Sequence, residues 1–189
     1  MIKYSWINKN KKYIFIGIFL VVFIIINWII HKIRMKYLHT TLLDILKKSI
    51  PIFHKHNIDY WAIGGTLLGS IREGGIIEHD DDIDIGIFKK DYLRIKNIKD
   101  IKDDFNNVGL EIVTKSPPKN LELIKIMNGG KGNNYNSIYE NKIYIDLFPF
   151  DKIDNKYIYS EKESRERWPN AYFLNDEIFP FKKSRLNDV

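Results

Sequence analysis

The longest apolar stretch of the sequence lies near its start, from Tyr13 to Ile30. It has eighteen residues, carries no charge and contains Asn27 as its one strongly polar side chain. An α-helix of this length spans about 27 Å, which is enough to cross a thin bilayer. The stretch therefore predicts a membrane-spanning helix. A cleaved signal peptide fits less well, because the run is too long and no small-residue cleavage site follows it. A buried core helix is the remaining alternative.

Helical spacing of apolar residues continues beyond this stretch. Leu and Ile residues recur at that spacing from Leu38 to Ile50, and Pro51 follows, which predicts a helix leading from the membrane into a domain. A second helix is expected over 90–105, with a solvated face rich in Lys and Asp. Another is expected to open at Thr66, whose hydroxyl suits an N-cap.

Alternating or β-branched segments predict short strands among these helices. The segments are Ile58–Ile63, a strand from Asp82, Leu110–Thr114, Leu121–Met127 and Ile143–Phe148. Asn128–Asn136 is rich in Gly and Asn and is expected to be a surface turn rather than a phosphate loop. Ser160 and Glu163 predict a capping box that opens a short helix ending near Arg167.

These elements predict an α+β, or compact α/β, domain, because strands and helices do not alternate regularly. The 189 residues suffice for one compact domain with an appendage, but not for two full domains. Three parts are expected: a basic tail over 1–12, a transmembrane anchor over 13–30 and one folded domain over 31–189.

The net charge of +6 is confined to the N-terminal end of the chain. Residues 1–36 contain seven Lys and Arg residues and no acid, which leaves 23 of the 30 basic residues against all 24 acidic residues. A nearly neutral domain does not support nucleic-acid binding. The slight excess of Lys before the apolar stretch favours a cytosolic N-terminus and a lumenal or extracytosolic domain.

Because there is no cysteine, a disulfide, a Cys-ligated zinc site and a thiol nucleophile are excluded.

Four aspartates occupy the five positions from Asp80 to Asp84, beside a run of isoleucines. Residues two apart in a strand project from the same face with Cα atoms roughly 6.5–7 Å apart, so the carboxylates of Asp82 and Asp84 can converge. No basic residue between Arg72 and Lys89 is available to neutralise them. Because clustered carboxylates repel one another, a hard divalent cation such as Mg²⁺ is expected between them.

Asp146 offers a third carboxylate from a later predicted strand. Two carboxylates on one strand and one on a neighbour can hold one or two metal ions for phosphoryl chemistry. The alternatives are a solvated acidic turn and a calcium loop. An EF-hand that began at Asp80 would need Gly at its sixth position and Glu at its twelfth, where this sequence has Ile85 and Asp91.

A glycine pair precedes the acidic segment at a predicted strand-to-helix corner. Gly64 and Gly65 would let a phosphate approach the backbone, and the N–H groups of a helix that opens at Thr66 would attract it. Arg72 lies on the same helix and is a candidate for neutralising a diphosphate. A plain surface turn is the alternative interpretation of the glycine pair.

The stretch GGTLLGSIREGGIIEHDDDIDIGI, from Gly64 to Ile87, resembles the signature of the LicD/fukutin family. IDLFPFD (Ile145–Asp151) and EIFPFKK (Glu177–Lys183) are similar to further segments of that family. The resemblance covers roughly Leu38 to Lys183. It implies a nucleotidyltransferase-like mixed sheet flanked by helices, here preceded by one N-terminal transmembrane helix.

The resemblance also implies an activity. Members transfer a phospho-alcohol, such as phosphocholine or ribitol phosphate, from a CDP-activated donor to a hydroxyl of a glycan. By this resemblance Asp82 and Asp84, with Asp80 as a further candidate, would hold Mg²⁺ or Mn²⁺. Asp146 would complete the metal site or accept the proton of the acceptor hydroxyl. The donor phosphates would face the turn at Gly64 and the residues Gly65, Thr66 and Arg72.

Two other functions remain open from the sequence. One is transfer of a nucleotide from an NTP, as in other proteins of this fold, and the other is a catalytically inactive glycan-binding or scaffold protein.

The sequence departs from the family at His79, where relatives usually have a tryptophan. Relatives also continue beyond the segment that corresponds to Glu177–Lys183, so the domain is expected to be short at its C-terminal end.

Overall fold

The computed structural model describes residues 4–114, 123–129 and 143–189 of the chain, with side chains from residue 10 onward. These residues belong to two compact units, one that ends at Tyr37 and one that runs from Leu38 to Val189.

The first unit consists of the N-terminal part of helix α1, Tyr4–Lys55. Its large apolar side chains between Tyr13 and Ile30 are exposed, with Phe19 at 68% and Ile24 at 65%. From Asn10 onward the helix is long and apolar enough to cross a membrane by its length and composition. The expected helix over this stretch is therefore confirmed.

In the second unit, α1 continues past Pro51 to Lys55, beyond the end predicted from the proline. Proline inside a helix costs about 3 kcal/mol because it removes a hydrogen bond and crowds the preceding turn. Ile52 and Phe53, which follow the proline directly, are both buried in the core. Burying each of these side chains contributes roughly 1.5–3 kcal/mol, which offsets the cost of the proline.

Seven strands among the described residues form one mixed sheet. They are β1 (Tyr60–Ala62), β2 (Asp84–Phe88), β3 (Leu110–Val113), β4 (Ile124–Asn128), β5 (Tyr144–Ile153), β6 (Lys156–Tyr159) and β7 (Tyr172–Leu174). The order is β1-β2-β5-β4-β3, while β6 pairs with the C-terminal half of β5 and with β7. Only β2 and β5 are parallel among these pairs. The mixed sheet with its helices confirms the predicted fold class.

The remaining helices differ from the sequence predictions at several ends. They are α2 (Gly64–Arg72), α3 (Lys89–Asn97), α4 (Lys99–Asn107), α5 (Lys162–Arg167) and α6 (Asn175–Ile178). The single helix predicted over 90–105 is two helices, because Ile98 between them is extended at φ −90° and ψ 120°. Ile98 breaks the helix without a Gly or Pro that would have signalled the break.

Both predicted N-caps are wrong. Helix α2 begins at Gly64, two residues before Thr66, and no side chain caps it. Helix α5 begins at Lys162 with Glu161 at its N-cap and again no side-chain cap, so the predicted capping box does not form. Leu121 and most of Asn128–Asn136, which were predicted to be strand and turn, lie outside the described residues.

The two faces of the sheet differ in chemistry. Ile83 and Ile85 lie on one face with Ile145 and Leu147, packed in the main core against α1, α3 and α4. The opposite face is lined along β2 and β5 by alternate residues that start with acids and continue with Gly or aromatics. These are Asp84, Gly86 and Phe88 on β2, and Asp146, Phe148 and Phe150 on β5. The acidic end of this second face positions the candidate site.

Candidate functional site

Asp84 and Asp146 lie directly opposite each other on neighbouring strands. They are Cα partners in the parallel pair of β2 and β5, and the Asp146 amide donates to the Ile83 carbonyl at 2.9 Å. Paired residues in register project from the same face of a sheet. The chain thereby brings together two acids that are 62 positions apart in sequence.

Lys125 approaches the same carboxylates from the other edge of β5. It is the Cα partner of Asp146 in the antiparallel pair of β4 and β5. Its Nζ lies 2.7 Å from Oδ1 and 3.1 Å from Oδ2 of Asp146, and 3.5 Å from the centre of the Tyr144 ring. Both charged residues are buried, with Lys125 5% and Asp146 8% exposed. The sequence analysis did not select Lys125, although a charged residue in the middle of an otherwise apolar strand was a usable signal.

Asp82 and Asp80 belong to the segment that leads into β2. Asp82 lies two residues before the strand's first residue and is exposed to solvent. The side chain of Asp80 lies against Gly65, where a Cβ atom would be 2.6 Å from Asp80 Oδ2. His39 of α1 donates from Nε2 to the Asp80 carbonyl at 2.8 Å. This hydrogen bond ties the acidic segment to the domain's first helix.

The carboxylates raise one another's pKa. Burial, followed by the charges of Asp82 and Asp146, raises the pKa of Asp84 to about 7, while Lys125 opposes this rise. Burial also raises the pKa of Asp82, with further contributions from Asp81, Asp146 and Asp80. A raised pKa means that the ionised form is unfavourable where it lies. The cluster therefore favours binding of additional positive charge.

Two further groups beside these carboxylates also have raised pKa values. Burial raises the pKa of Asp146, and the ammonium of Lys125 acts in the opposite direction through its charge and its hydrogen bond. Burial, together with the charge of Asp84, raises the pKa of the Tyr159 hydroxyl to about 12. The acidic site thus adjoins the aromatic part of the same sheet face.

The turn before α2 is bonded to the start of β2. Thr66 Oγ1 accepts a hydrogen bond from the Asp84 amide at 2.9 Å, and the Ile63 amide donates to the Asp84 carbonyl at 3.2 Å. Gly64 has a φ of +54°, and a Cβ atom there would lie 3.4 Å from Asp84 Oδ2. A side chain at Gly64 would be strained in this left-handed conformation. The first turn of α2 therefore lies beside the carboxylates.

Arg72 lies at the opposite end of α2. Its guanidinium pairs with Glu73, with Nη2 2.6 Å from Oε1, and its side chain is 55% exposed. Eight residues of helical rise separate Gly64 from Arg72, which is about 12 Å. The structure thus brings Gly64, Gly65 and Thr66 to the acidic cluster and leaves Arg72 away from it.

The donor set fits a hard divalent cation by its chemistry. Carboxylate oxygens are the preferred ligands of Mg²⁺, which keeps several positions for water and phosphate. Among residues 10–114, 123–129 and 143–189, no group of three or more His, Cys, Asp or Glu side chains is already arranged to hold a metal ion. Asp82 is exposed and Asp84 is half-buried, whereas Asp146 is buried and paired with Lys125.

Comparison with known proteins identifies the family. Residues 57–189 match the family model described as "LicD/FKTN/FKRP, nucleotidyltransferase domain". This match spans more than half of the chain, and the chain belongs to that family. The resemblance inferred from Gly64–Ile87 is thereby confirmed.

Three curated relatives match the chain at 25–29% sequence identity. An uncharacterized protein of Rickettsia prowazekii (strain Madrid E) is 29% identical over 151 residues, which are 79% of this chain and 48% of the relative. One from Rickettsia typhi (strain ATCC VR-144 / Wilmington) is 28% identical over 156 residues, 79% of this chain and 40% of the relative. Lipopolysaccharide cholinephosphotransferase LicD of Haemophilus influenzae (strain ATCC 51907 / DSM 11121 / KW20 / Rd) is 25% identical over 131 residues, 66% of this chain and 47% of that protein.

The chain thus spans about half the length of the curated relatives that it matches.

Proposed function

We propose that this protein is a membrane-anchored, divalent-metal-dependent transferase. It moves a phospho-alcohol, such as phosphocholine or ribitol phosphate, from a CDP-activated donor to a hydroxyl of a glycan. The observation that carries the proposal is the pairing of Asp84 with Asp146 on adjacent strands, beside Asp82 and the N-terminal turn of α2. Family membership and the name of the Haemophilus relative support the class of reaction.

The anchor in this proposal is the apolar part of α1. Tyr13–Ile30 crosses the bilayer, with a cytosolic N-terminus and the domain on the lumenal or extracytosolic side. The exposure of its apolar side chains supports this assignment, because each would otherwise face water. An anchor of this kind would keep the domain close to acceptors carried on a membrane.

The reaction exchanges one phosphorus–oxygen bond for another. The acceptor oxygen attacks the phosphorus that carries the alcohol, the bond from that phosphorus to the bridging oxygen breaks, and CMP leaves. Positioning and electrostatic stabilisation account for most of the rate in transfers of this kind. Asp146 is the candidate acceptor of the hydroxyl proton, or else a third metal ligand.

The residues have distinct places in this scheme. Asp82 and Asp84 would hold Mg²⁺ or Mn²⁺, with Asp80 beside them against Gly65. When bound, the cation would neutralise charge on the phosphates. The backbone at Gly64, Gly65 and Thr66 would face the donor phosphates, since the first N–H groups of a helix attract anions.

A donor screen tests the proposal. The full chain in detergent would be incubated with CDP-choline, CDP-ribitol or CDP-glycerol, an acceptor glycan preparation and Mg²⁺ or Mn²⁺, and CMP release would be measured. We expect metal-dependent CMP release that Asp84→Asn abolishes. Release of pyrophosphate from an NTP would instead identify a nucleotidyltransferase. Metal-dependent CDP binding without turnover of any donor would identify a binding protein.

A further inference from the structure

The Lys125–Asp146 ion pair is the feature of the site that the proposed reaction does not yet use. Lys125 reaches both carboxylate oxygens of Asp146, at 2.7 and 3.1 Å from Nζ. An ammonium ion that contacts both oxygens occupies the face of the carboxylate to which a metal ion would otherwise bind. In this arrangement Asp146 is a paired anion rather than an open ligand.

The lysine is held in this place from several directions. Its backbone is fixed by the register of β4 and β5, in which Lys125 lies opposite Asp146. Its Nζ also lies 3.5 Å from the centre of the Tyr144 ring, a cation–π contact. The side chain is only 6% exposed, so water contributes little to its solvation. The carboxylate of Asp146 beside it offsets the cost of burying the ammonium.

The charge of Lys125 extends beyond Asp146. Asp84 is the Cα partner of Asp146 on β2, as Lys125 is on β4, so the three side chains project from the same face of the sheet. Lys125 therefore adds its positive charge to the carboxylate cluster, as a second metal ion would in a two-metal site. Asp82 and Asp84 remain as the open acids of the cluster, which is a donor set for one ion rather than two.

We propose that Lys125 is a built-in second cation of the site, which neutralises Asp146 and limits the carboxylate cluster to one divalent metal ion. This inference rests on the proposed function, because it presupposes that Asp82 and Asp84 bind a metal. It assigns Lys125 as a positioning residue and removes Asp146 from the set of metal ligands. Asp146 then keeps the role of proton acceptor in the proposed reaction.

Mn²⁺ binding by the full chain in detergent tests this proposal without any substrate. Electron paramagnetic resonance of free Mn²⁺ would count the bound ions and measure their affinity. We expect one ion per chain in the wild-type protein. Two ions per chain would overturn the inference and leave the proposed function in place, whereas no bound ion would overturn both.

A double-mutant cycle separates a paired Asp146 from a ligating one. Lys125→Met should tighten Mn²⁺ binding roughly tenfold, because a fixed positive charge is lost. Asp146→Asn should weaken binding, because Lys125 is then unpaired beside the metal site. The double variant Lys125→Met with Asp146→Asn restores the charge balance and should return to about wild-type affinity.

The double variant also decides the matter if a single variant fails to fold. It replaces a buried ion pair by two neutral groups of similar shape, a change that proteins often tolerate. If the double variant binds Mn²⁺ much more weakly than the wild-type protein, Asp146 is a metal ligand and the inference is wrong. Lys152→Met is the matched control, since Lys152 is an exposed lysine of β5 that contacts Asn175. It should leave the affinity unchanged.

Discussion

Thr66 Oγ1 accepts a hydrogen bond from the backbone N–H of Asp84 at 2.9 Å, which joins the first turn of α2 to the first residue of β2. Thr66 is 7% exposed, so this bond is shielded from water. The hydroxyl therefore fixes the position of the acidic strand relative to the glycine turn, a role that differs from the N-cap expected of it.

Thr66→Val should destabilise the domain by about 1–3 kcal/mol, because it preserves the shape of the side chain and leaves the Asp84 amide without its acceptor. Urea unfolding of the full chain in detergent would measure the change. Thr66→Ser, which retains the acceptor, should recover most of the lost stability. A large loss in Thr66→Ser with little loss in Thr66→Val would show that packing of the methyl group, rather than the hydrogen bond, is responsible.

Gly65→Ala should displace the carboxylate of Asp80, since the new Cβ would lie 2.6 Å from its Oδ2. The first turn of α2 tolerates alanine, so we expect a weaker Mn²⁺ affinity with a small change in stability. As a control, the Mn²⁺ affinity of the double variant Gly65→Ala with Asp80→Ala is compared with that of Asp80→Ala alone, because the clash is absent without the Asp80 carboxylate. There the alanine at position 65 should have no further effect on metal binding, and a persistent effect would place its cause in the helix itself.

The stability of the metal-free protein should fall as pH rises from about 4 to 7. Burial and neighbouring acids raise the pKa of Asp84 from 3.8 to about 7 in the folded state. Between these values the folded state binds more protons than the unfolded state, so raising the pH favours unfolding. Asp84→Asn should flatten this dependence, and saturating Mg²⁺ should do the same in the wild-type protein. Urea unfolding at pH 5 and pH 7.5 would measure both effects, and equal slopes for wild type and Asp84→Asn would contradict the assignment.

Arg72→Gln should have little effect on donor use. The guanidinium is paired with Glu73 on an exposed surface, at the far end of α2 from the acids. Exposed pairs contribute little, so we expect the KM for the CDP donor to change by no more than about twofold. Steady-state CMP release would give the value. A large rise in KM would contradict this expectation and would support the phosphate-binding role predicted for Arg72 from the sequence.

Replacing Val22 and Phe23 by lysine should prevent stable membrane integration. Both lie in the middle of the apolar stretch, where each lysine costs roughly 2.5–3.5 kcal/mol on insertion. Alkaline extraction of membranes would then release the variant, while the wild-type protein stays in the pellet. Val108→Lys is the control, because Val108 is an exposed apolar residue of the domain and its change should not alter extraction.

Local sequence patterns predicted the two faces of the strand that follows the acidic segment, because alternation itself carries that information. Asp82 and Asp84 were expected to share one face, and the isoleucines that alternate with them, Ile83 and Ile85, lie in the core. Which strands become neighbours depends on long-range packing, which no local pattern encodes. For this reason the register that sets Lys125 opposite Asp146 was beyond the sequence analysis.

Helix ends were the weakest predictions, for a related reason. Pro51 and Thr66 each carry a strong local signal, and in both cases contacts from elsewhere in the chain outweigh it. Core burial of Phe53 carries α1 past its proline, and the Asp84 amide takes the hydroxyl of Thr66. Tertiary context routinely overrides such propensities when several kcal/mol of burial are involved.

The parallel pairing of β2 with β5 has a consequence for synthesis of the protein. Asp84 leaves the ribosome well before Asp146, and the partner strand that completes the acidic cluster begins only at Tyr144. A nascent chain that lacks this strand has neither the third carboxylate nor the lysine's anchor. Pairings between distant segments also form late, because closing a long loop has to precede them. The cluster of Asp84, Asp146 and Lys125 would therefore assemble only after the segment that begins at Tyr144 has been synthesised.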